Sequence, residues 1–281
     1  MLAVKKWRMC PAPPDEFARF LEIPAFHAHI LYNRGFRNRV DVDRYLKTDS
    51  HELHDPVLLP DMHRAVQRLK IALDRGEVVG VFGDFDTDGV TGTAILLKAL
   101  TDIGVRVVPY LPDRISEGHG LNVGAIRSLH LQNVSLIITV DCGTGSVDEV
   151  RFAASLGVDV IITDHHSVTD KHTDVVALVN PKRVDSLYPF GDLTGAGLAF
   201  KLVEALWADL GKSYPNYLLE LVALGTVADV GPLIGENRYL VKKGLEYINK
   251  TSSPGLISLI NRSGLRYGSL DIESLSFWLI P

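Results

Sequence analysis

The sequence predicts an α/β fold: a parallel sheet flanked by helices, followed by an α-helical segment. Three observations predict it. Short apolar runs end in Gly or Asp, helix-like stretches separate them, and beyond about residue 194 the strand-like runs give way to a leucine repeat of four. The organisation read from these changes is an N-terminal extension over residues 1–60, an α/β domain over 61–200 and a helical segment over 201–281.

Residues 1–60 read as irregular and polar, with short apolar patches at 17–23 and 29–32. Residues 77–83 (EVVGVFG) then form an apolar run ending in Gly and Asp, the pattern of a buried parallel strand. Residues 91–100 read as a helix and 105–111 (VRVVPYL) as the second strand. Two further strands, 136–140 (LIITV) and 158–163 (VDVIIT), enclose a helix over 147–156, and 175–179 is the last strand. Leu198, Leu202, Leu206 and Leu210 line one face of a helix. Residues 217–227, 237–249 and 254–261 also read as helical.

Of the 281 residues, 46% are hydrophobic and 22% charged, an ordinary balance for a globular enzyme. No apolar run is long enough to cross a bilayer, and no apolar core follows the basic start of a signal peptide. Cys10 and Cys142 are too few and too far apart for a disulfide framework or a zinc site, so the chain reads as cytoplasmic. A net charge of −5 speaks against gripping nucleic acid by bulk charge. An enzyme that collects metal ions with aspartates carries much of its positive charge on those ions, which a residue count misses.

Four clusters carry chemistry. In Gly83-Asp84-Phe85-Asp86-Thr87-Asp88-Gly89, three carboxylates alternate directly after a strand, with no basic neighbour. Such density is costly unless cations bind, although a solvated acidic turn is the simpler alternative. An EF-hand is excluded, because its twelfth position needs Glu and is Ile95, and because a strand precedes the cluster. Asp141 follows the strand ending at Val140, where a lone Asp is often just a helix cap. The adjoining Gly143-Thr144-Gly145 hints at a dinucleotide fingerprint, but Asp148 stands where the third glycine belongs.

Asp164, His165 and His166 lie where the next strand runs out. Adjacent histidines there point different ways, so one can bind a metal while the other meets substrate; an ordinary surface pair is the alternative. Asp229 sits in an apolar stretch, where an unpaired carboxylate is expensive and a metal would be a sufficient partner. Together, three strands would deliver these groups at their C-terminal ends, where open parallel sheets place their sites. Oxygen-rich ligation with imidazole suits Mn²⁺ or Mg²⁺, and so many carboxylates imply two ions, an arrangement that most often serves hydrolysis at phosphorus.

The series GDFDTDGVTGTA (83–94), VDCG (140–143), TDHH (163–166) and ALGTVADVGPLIGENRYLVKKGL (223–245) resembles the motif set of the DHH phosphoesterases. LYNRGF (31–36), HDPVLLPDM (54–62) and LTGAGLAFKL (193–202) are most similar to its RecJ branch. The resemblance implies a DHH phosphoesterase domain with a two-metal site. Asp86 and Asp88 would bind one ion each, with Asp84 a further ligand, Asp141 bridging, and His165 and Asp229 completing the second ion's shell. His166 would face the scissile phosphate and Asp164 would orient the histidines. The implied substrate is single-stranded DNA, degraded from the 5′ end to mononucleotides in repair and recombination. No membrane is implied, and helicase or single-strand-binding-protein partners cannot be read from the residues.

Relatives continue past the position of residues 277–281 into a DHH-associated substrate-binding domain, so weak, distributive activity is expected of this chain. Arg114, Lys182 and Arg183 follow strands and are candidate phosphate contacts, though isolated basic residues are usually only solvated. His119 in EGHGL (117–121) replaces the tyrosine common in relatives and reads as a loop residue without consequence. The other seven histidines show no ligand spacing. Two other readings compete: the same chemistry on short oligonucleotides or cyclic dinucleotides, and a catalytically silent single-strand-binding relative. Loss of metal ligands would mark the last, and every ligand position here is filled.

Overall fold

A computed structural model describes residues 8–49, 52–168 and 174–281. The chain divides into two compact units, one up to Glu52 and one from Leu53 onward.

The first unit is helical, which corrects the expectation of an irregular extension. Helices α1 (Asp15–Leu21), α2 (Ala25–Asn33) and α3 (Arg39–Lys47) enclose a small core of Phe17, Leu21, Ala28, Leu31 and Val42. Asn38 caps α3 by accepting a hydrogen bond from the Asp41 amide at 2.9 Å.

In the second unit, α4 (Met62–Arg75) buries Met62, Ala65, Val66, Leu69 and Ala72, a stripe at helical spacing that sequence reading missed. Gly76 ends it in the left-handed conformation (φ 63°). The strands follow as β1 (Val78–Gly83), β2 (Arg106–Tyr110), β3 (Val134–Val140), β4 (Asp159–Thr163) and β5 (Ala177–Val179). All pair in parallel, in the order β2-β1-β3-β4-β5. Helices α5 (Thr87–Asp102), α6 (Val123–Leu131) and α7 (Val147–Ser155) connect them, and α6 is a second helix that sequence reading missed.

Alternation along each strand builds two cores. Val79, Val81, Ile138, Val140, Ile161 and Val179 face the side covered by α4, α5 and α8 (Gly195–Asp209). Phe82, Ile137, Val160, Ile162 and Leu178 face α6 and α7. The sheet is therefore covered on both sides, as a parallel sheet requires.

Helix α8 crosses the sequence-derived boundary at residue 200 and is buried through most of its circumference, which the leucine repeat understated. Its Lys201 is fully buried and pairs with buried Glu236 at 2.7 Å; the Tyr188 hydroxyl donates to the same carboxylate at 2.6 Å. Losing one partner of such a pair costs about 3–5 kcal/mol. Helices α9 (Leu219–Ala228), α10 (Gly235–Ile248) and α11 (Pro254–Arg262) complete the unit. No helix among the described residues is long and apolar enough to cross a membrane.

Candidate metal centre

The chain leaves β1 toward β2 on one side and returns to β3 on the other, so the sheet splits its connections between β1 and β3. Ligand sites in doubly wound sheets form at such a point, beyond the strands' C-terminal ends. Pairing continues one residue past each strand here. The amides of Asp84, Asp141 and Asp164 donate to the carbonyls of Val140, Thr163 and Val179 at 3.2, 3.0 and 3.2 Å. Three aspartates thus stand side by side, one per strand, and Asp141 takes a left-handed backbone (φ 61°) uncommon for a non-glycine residue.

Asp86 caps α5, accepting from the Gly89 amide at 2.9 Å, and Asp88 lies in that helix's first turn. Asp88 is held from a distant element: its carboxylate accepts from the Gly195 and Ala196 amides, at 2.6 and 2.9 Å, at the positive end of α8. Asp229 follows the end of α9. His165 Nε2 lies 2.9 Å from Asp141 Oδ1 and 3.8 Å from Asp229 Oδ2.

Three groups of potential donor atoms result, each with its atoms within 4.8 Å of one another: Asp84, Asp86 and Asp141; Asp88, His165 and Asp229; and Asp141, His165 and His166. Asp141 joins the first group to the third. Five carboxylates with one or two imidazoles are a donor set for hard divalent cations. Asp84 Oδ1 is buried without a hydrogen-bond partner among the described residues, as a carboxylate oxygen reserved for a cation would be. The residues therefore fit a pair of such ions.

Electrostatics point the same way. Burial first, and the Asp141 charge next, push Asp88 up to about 8. Burial and then the Asp86 charge raise Asp141 to about 9, and burial raises Asp229. Burial lowers His165, which favours the neutral imidazole a metal needs. Without cations these carboxylates resist ionisation.

Asp164 behaves differently. Burial alone would raise it, but hydrogen bonds from His166 and Thr144 outweigh burial and hold the carboxyl at about 2. Its Oδ1 accepts from the His165 and His166 amides and from His166 Nδ1, the last at 2.7 Å; its Oδ2 accepts from the Thr144 amide at 2.9 Å. His166 is raised to about 9 chiefly by that hydrogen bond, which leaves Nε2 as the free donor of a 62% exposed side chain.

The three basic candidates separate. Lys182 has no side-chain partner among the described residues, and its charge bears on Asp229. Arg114 stacks on Phe85, its guanidinium carbon 5.1 Å from the ring centroid, beside the acidic turn. Arg183 is brought elsewhere: its guanidinium donates to Asp61 at 2.6 Å, to the Leu178 carbonyl at 2.8 Å, and to both oxygens of Asp185.

Two residues that sequence reading set aside belong to the site's surroundings. His119 Nδ1 lies 3.1 Å from Asp84 Oδ2, with its ring 4.3 Å from that of Phe85, which corrects the reading of a loop residue without consequence. Asn180, fully buried, ends β5 level with the three aspartates and donates to the His166 carbonyl at 2.9 Å. Its only signal in the sequence is a polar residue closing the apolar run VVALVN. The Gly143-Thr144-Gly145 turn supplies the Thr144 amide to Asp164.

A doubly wound parallel sheet with acidic and histidine groups at its switch point defines the class. Residues 78–226 match the DHH family, N-terminal domain, and the chain belongs to that family. Over its full length it is 40% identical to the single-stranded-DNA-specific exonuclease RecJ of Bacillus subtilis (strain 168), covering 36% of that protein. Over 92% of its length it is 38% identical to RecJ of Thermus thermophilus, covering 38% of that relative. The crystal structure of Thermus thermophilus RecJ in complex with Mn²⁺ superposes with a TM-score of 0.78 at 34% identity, over 98% of this chain and 39% of that one. The chain thus spans little more than a third of the length of these relatives.

Proposed function

We propose that this chain is the metal-binding catalytic part of a cytoplasmic RecJ-type exonuclease. It would cut phosphodiester bonds in single-stranded DNA from the 5′ end, releasing mononucleotides in DNA repair and recombination. The observation that carries the reading is Asp141: it is shared between donor groups at the β1–β3 switch point and lies 2.9 Å from His165.

Two Mn²⁺ or Mg²⁺ ions would supply Lewis acidity toward the phosphoryl oxygens and offset the carboxylate charge. Asp84, Asp86 and Asp141 would hold one, and Asp88, His165 and Asp229 the other, with Asp141 common to both. His166, kept protonated by Asp164, would donate from Nε2 to a phosphoryl oxygen as its charge grows. The Asp164 carboxylate fixes the ring through Nδ1 and stays ionised throughout. Lys182 and Arg114 would draw in neighbouring phosphates, whereas the engaged guanidinium of Arg183 supports a structural role for that residue.

The test is Mn²⁺-dependent cleavage of 5′-labelled single-stranded DNA, with matched duplex and dinucleotide substrates and an Asp141→Ala control. The expected result is labelled mononucleotide from the single strand only, lost in the control. Cleavage of the dinucleotide alone would move the function to small substrates. Absence of any cleavage would count against the reading.

A further inference from the structure

The carboxylates around the start of α5 are not all held in the same way. Asp86 accepts from the Gly89 amide, and Asp88 from the Gly195 and Ala196 amides, so backbone fixes both. Asp84 has no such amide. Among the described residues its carboxylate has a single hydrogen-bond partner, the His119 imidazole, whose Nδ1 lies 3.1 Å from Oδ2. The other oxygen, Oδ1, is buried and unpaired. A carboxylate only accepts, so Nδ1 carries the proton and donates. One such bond sets the rotation of the carboxylate plane, and with it the direction in which Oδ1 points.

The imidazole is delivered by a braced loop. Residues 111–122 run from β2 to α6, and Glu117 ties the loop together. Its carboxylate accepts from the Tyr110 hydroxyl at 2.7 Å, the Asp113 amide at 2.7 Å and Asn122 Nδ2 at 3.2 Å. Tyr110 ends β2 and Asn122 caps α6, so both ends of the loop meet at one side chain. Within it, Asp113 Oδ1 accepts from the Ile115 and Ser116 amides. Gly118 and Gly120 flank His119 with left-handed backbones (φ 75° and 84°) that other residues rarely adopt.

The His119 ring lies 4.3 Å from that of Phe85, the residue next to Asp84, so the loop meets the chain beyond β1 at two adjacent points. The His119 side chain is 74% exposed, and burial therefore contributes little to holding it there.

We propose that His119 is a positioning residue for the ion at Asp84, Asp86 and Asp141: its Nδ1–H holds Asp84 Oδ2 and leaves Oδ1 facing the cation. The loop from β2 to α6 thereby sets the affinity of one half of the centre, while Asp88, His165 and Asp229 form the other half without it. The inference rests on reading these carboxylates as a two-ion site, and it adds a residue that the donor groups themselves do not contain.

Titration calorimetry of the whole chain with Mn²⁺ tests this without any turnover. Two substitutions separate the hydrogen bond from the ring. His119→Phe keeps a ring against Phe85 and removes the donor. It should weaken one of the two Mn²⁺ binding steps about tenfold, the lower end of what outer partners of metal ligands contribute. His119→Asn places an amide nitrogen near the position of Nδ1 without the rest of the ring, and should stay within about twofold of the wild type. Neither should shift the melting temperature in chelator, since the side chain is exposed. In an Asp84→Ala background, His119→Phe should weaken binding no further, because the group it positions is gone. Wild-type affinity in His119→Phe, equal losses in both variants, or a loss that persists without Asp84 would each overturn the positioning role and leave the metal centre standing. If the wild type binds no Mn²⁺ at all, the two-ion reading fails and the proposal falls with it.

Discussion

Gly195 lies so close to Asp141 that a Cβ on it would fall 2.5 Å from the aspartate's Cβ and 2.9 Å from its Cγ. The same residue donates its amide to Asp88, so one backbone position sets the spacing of two candidate ligands. Gly195→Ala should therefore displace Asp141 and cost about 1–3 kcal/mol through overpacking. Titration calorimetry should find Mn²⁺ affinity reduced about tenfold or more, since displaced ligands lose most of their coordination energy. Gly191→Ala, where a Cβ meets nothing, is the control. Undiminished affinity in Gly195→Ala would refute the spacing role.

Stability without metal should fall as pH rises. Asp88 and Asp141 are raised to about 8 and about 9 in the fold, against about 3.9 in an unfolded chain. A raised folded pKa contributes stability that is complete below the unfolded value and is lost as pH climbs through the folded one. His166, raised to about 9, acts in the same direction. The melting temperature in chelator should thus decline from about pH 4 to about pH 9, with the two aspartates titrating as a coupled pair. Saturating Mn²⁺ should flatten or reverse the slope, because the ions take up the ionised carboxylates. A melting temperature that rises across this window in chelator would sink the idea.

Asp164→Asn isolates the link between Asp164 and His166. The substitution keeps an acceptor but removes the charge that sustains the imidazolium. His166 should return from about 9 toward the ordinary value of about 6.5. Its ring-proton shifts, followed by NMR against pH in metal-free protein, report this directly. A midpoint still near 9 would mean that the neighbouring carboxylates, not Asp164, hold the proton.

How far the sequence carried depended on range. All five strands were legible to within two residues because each is a short, mostly apolar run rich in β-branched residues. Asp84, Asp141 and Asp164 were legible because they end those runs. What Asp88 touches was not, since Gly195 and Ala196 lie more than a hundred residues away and meet it only through packing of α5 on α8. Helices α1 to α3 escaped because they have only seven to nine residues each, and in α2 AFHAHILYN spreads its apolar residues around the axis. His119 escaped because a loop's path decides whether its imidazole reaches Asp84, and spacing along the chain says nothing of that path.

Lys182 and Arg183 are adjacent, both basic and indistinguishable by pattern, yet they should respond oppositely to removal. Arg183 ties the start of α4, through Asp61, to the edge strand β5, where Leu178 supplies both an amide to Asp61 and a carbonyl to the guanidinium. Burial opposes ionisation of Asp61, but the bonds from Leu178 and Arg183 prevail and lower its pKa. Arg183→Ala leaves the half-buried Asp61 with only the Leu178 amide and Arg64, and should cost about 1–3 kcal/mol, seen as a drop in melting temperature with KM for DNA unchanged. Lys182 has no hydrogen bond or ion pair from its side chain to lose among the described residues, so Lys182→Ala should move stability by no more than about 0.5 kcal/mol. Its effect belongs to phosphate attraction: KM for single-stranded DNA should rise severalfold, and the salt dependence of binding should shrink by about one counterion. An increase in KM for Arg183→Ala without loss of stability would reverse the assignment and return the guanidinium to the substrate.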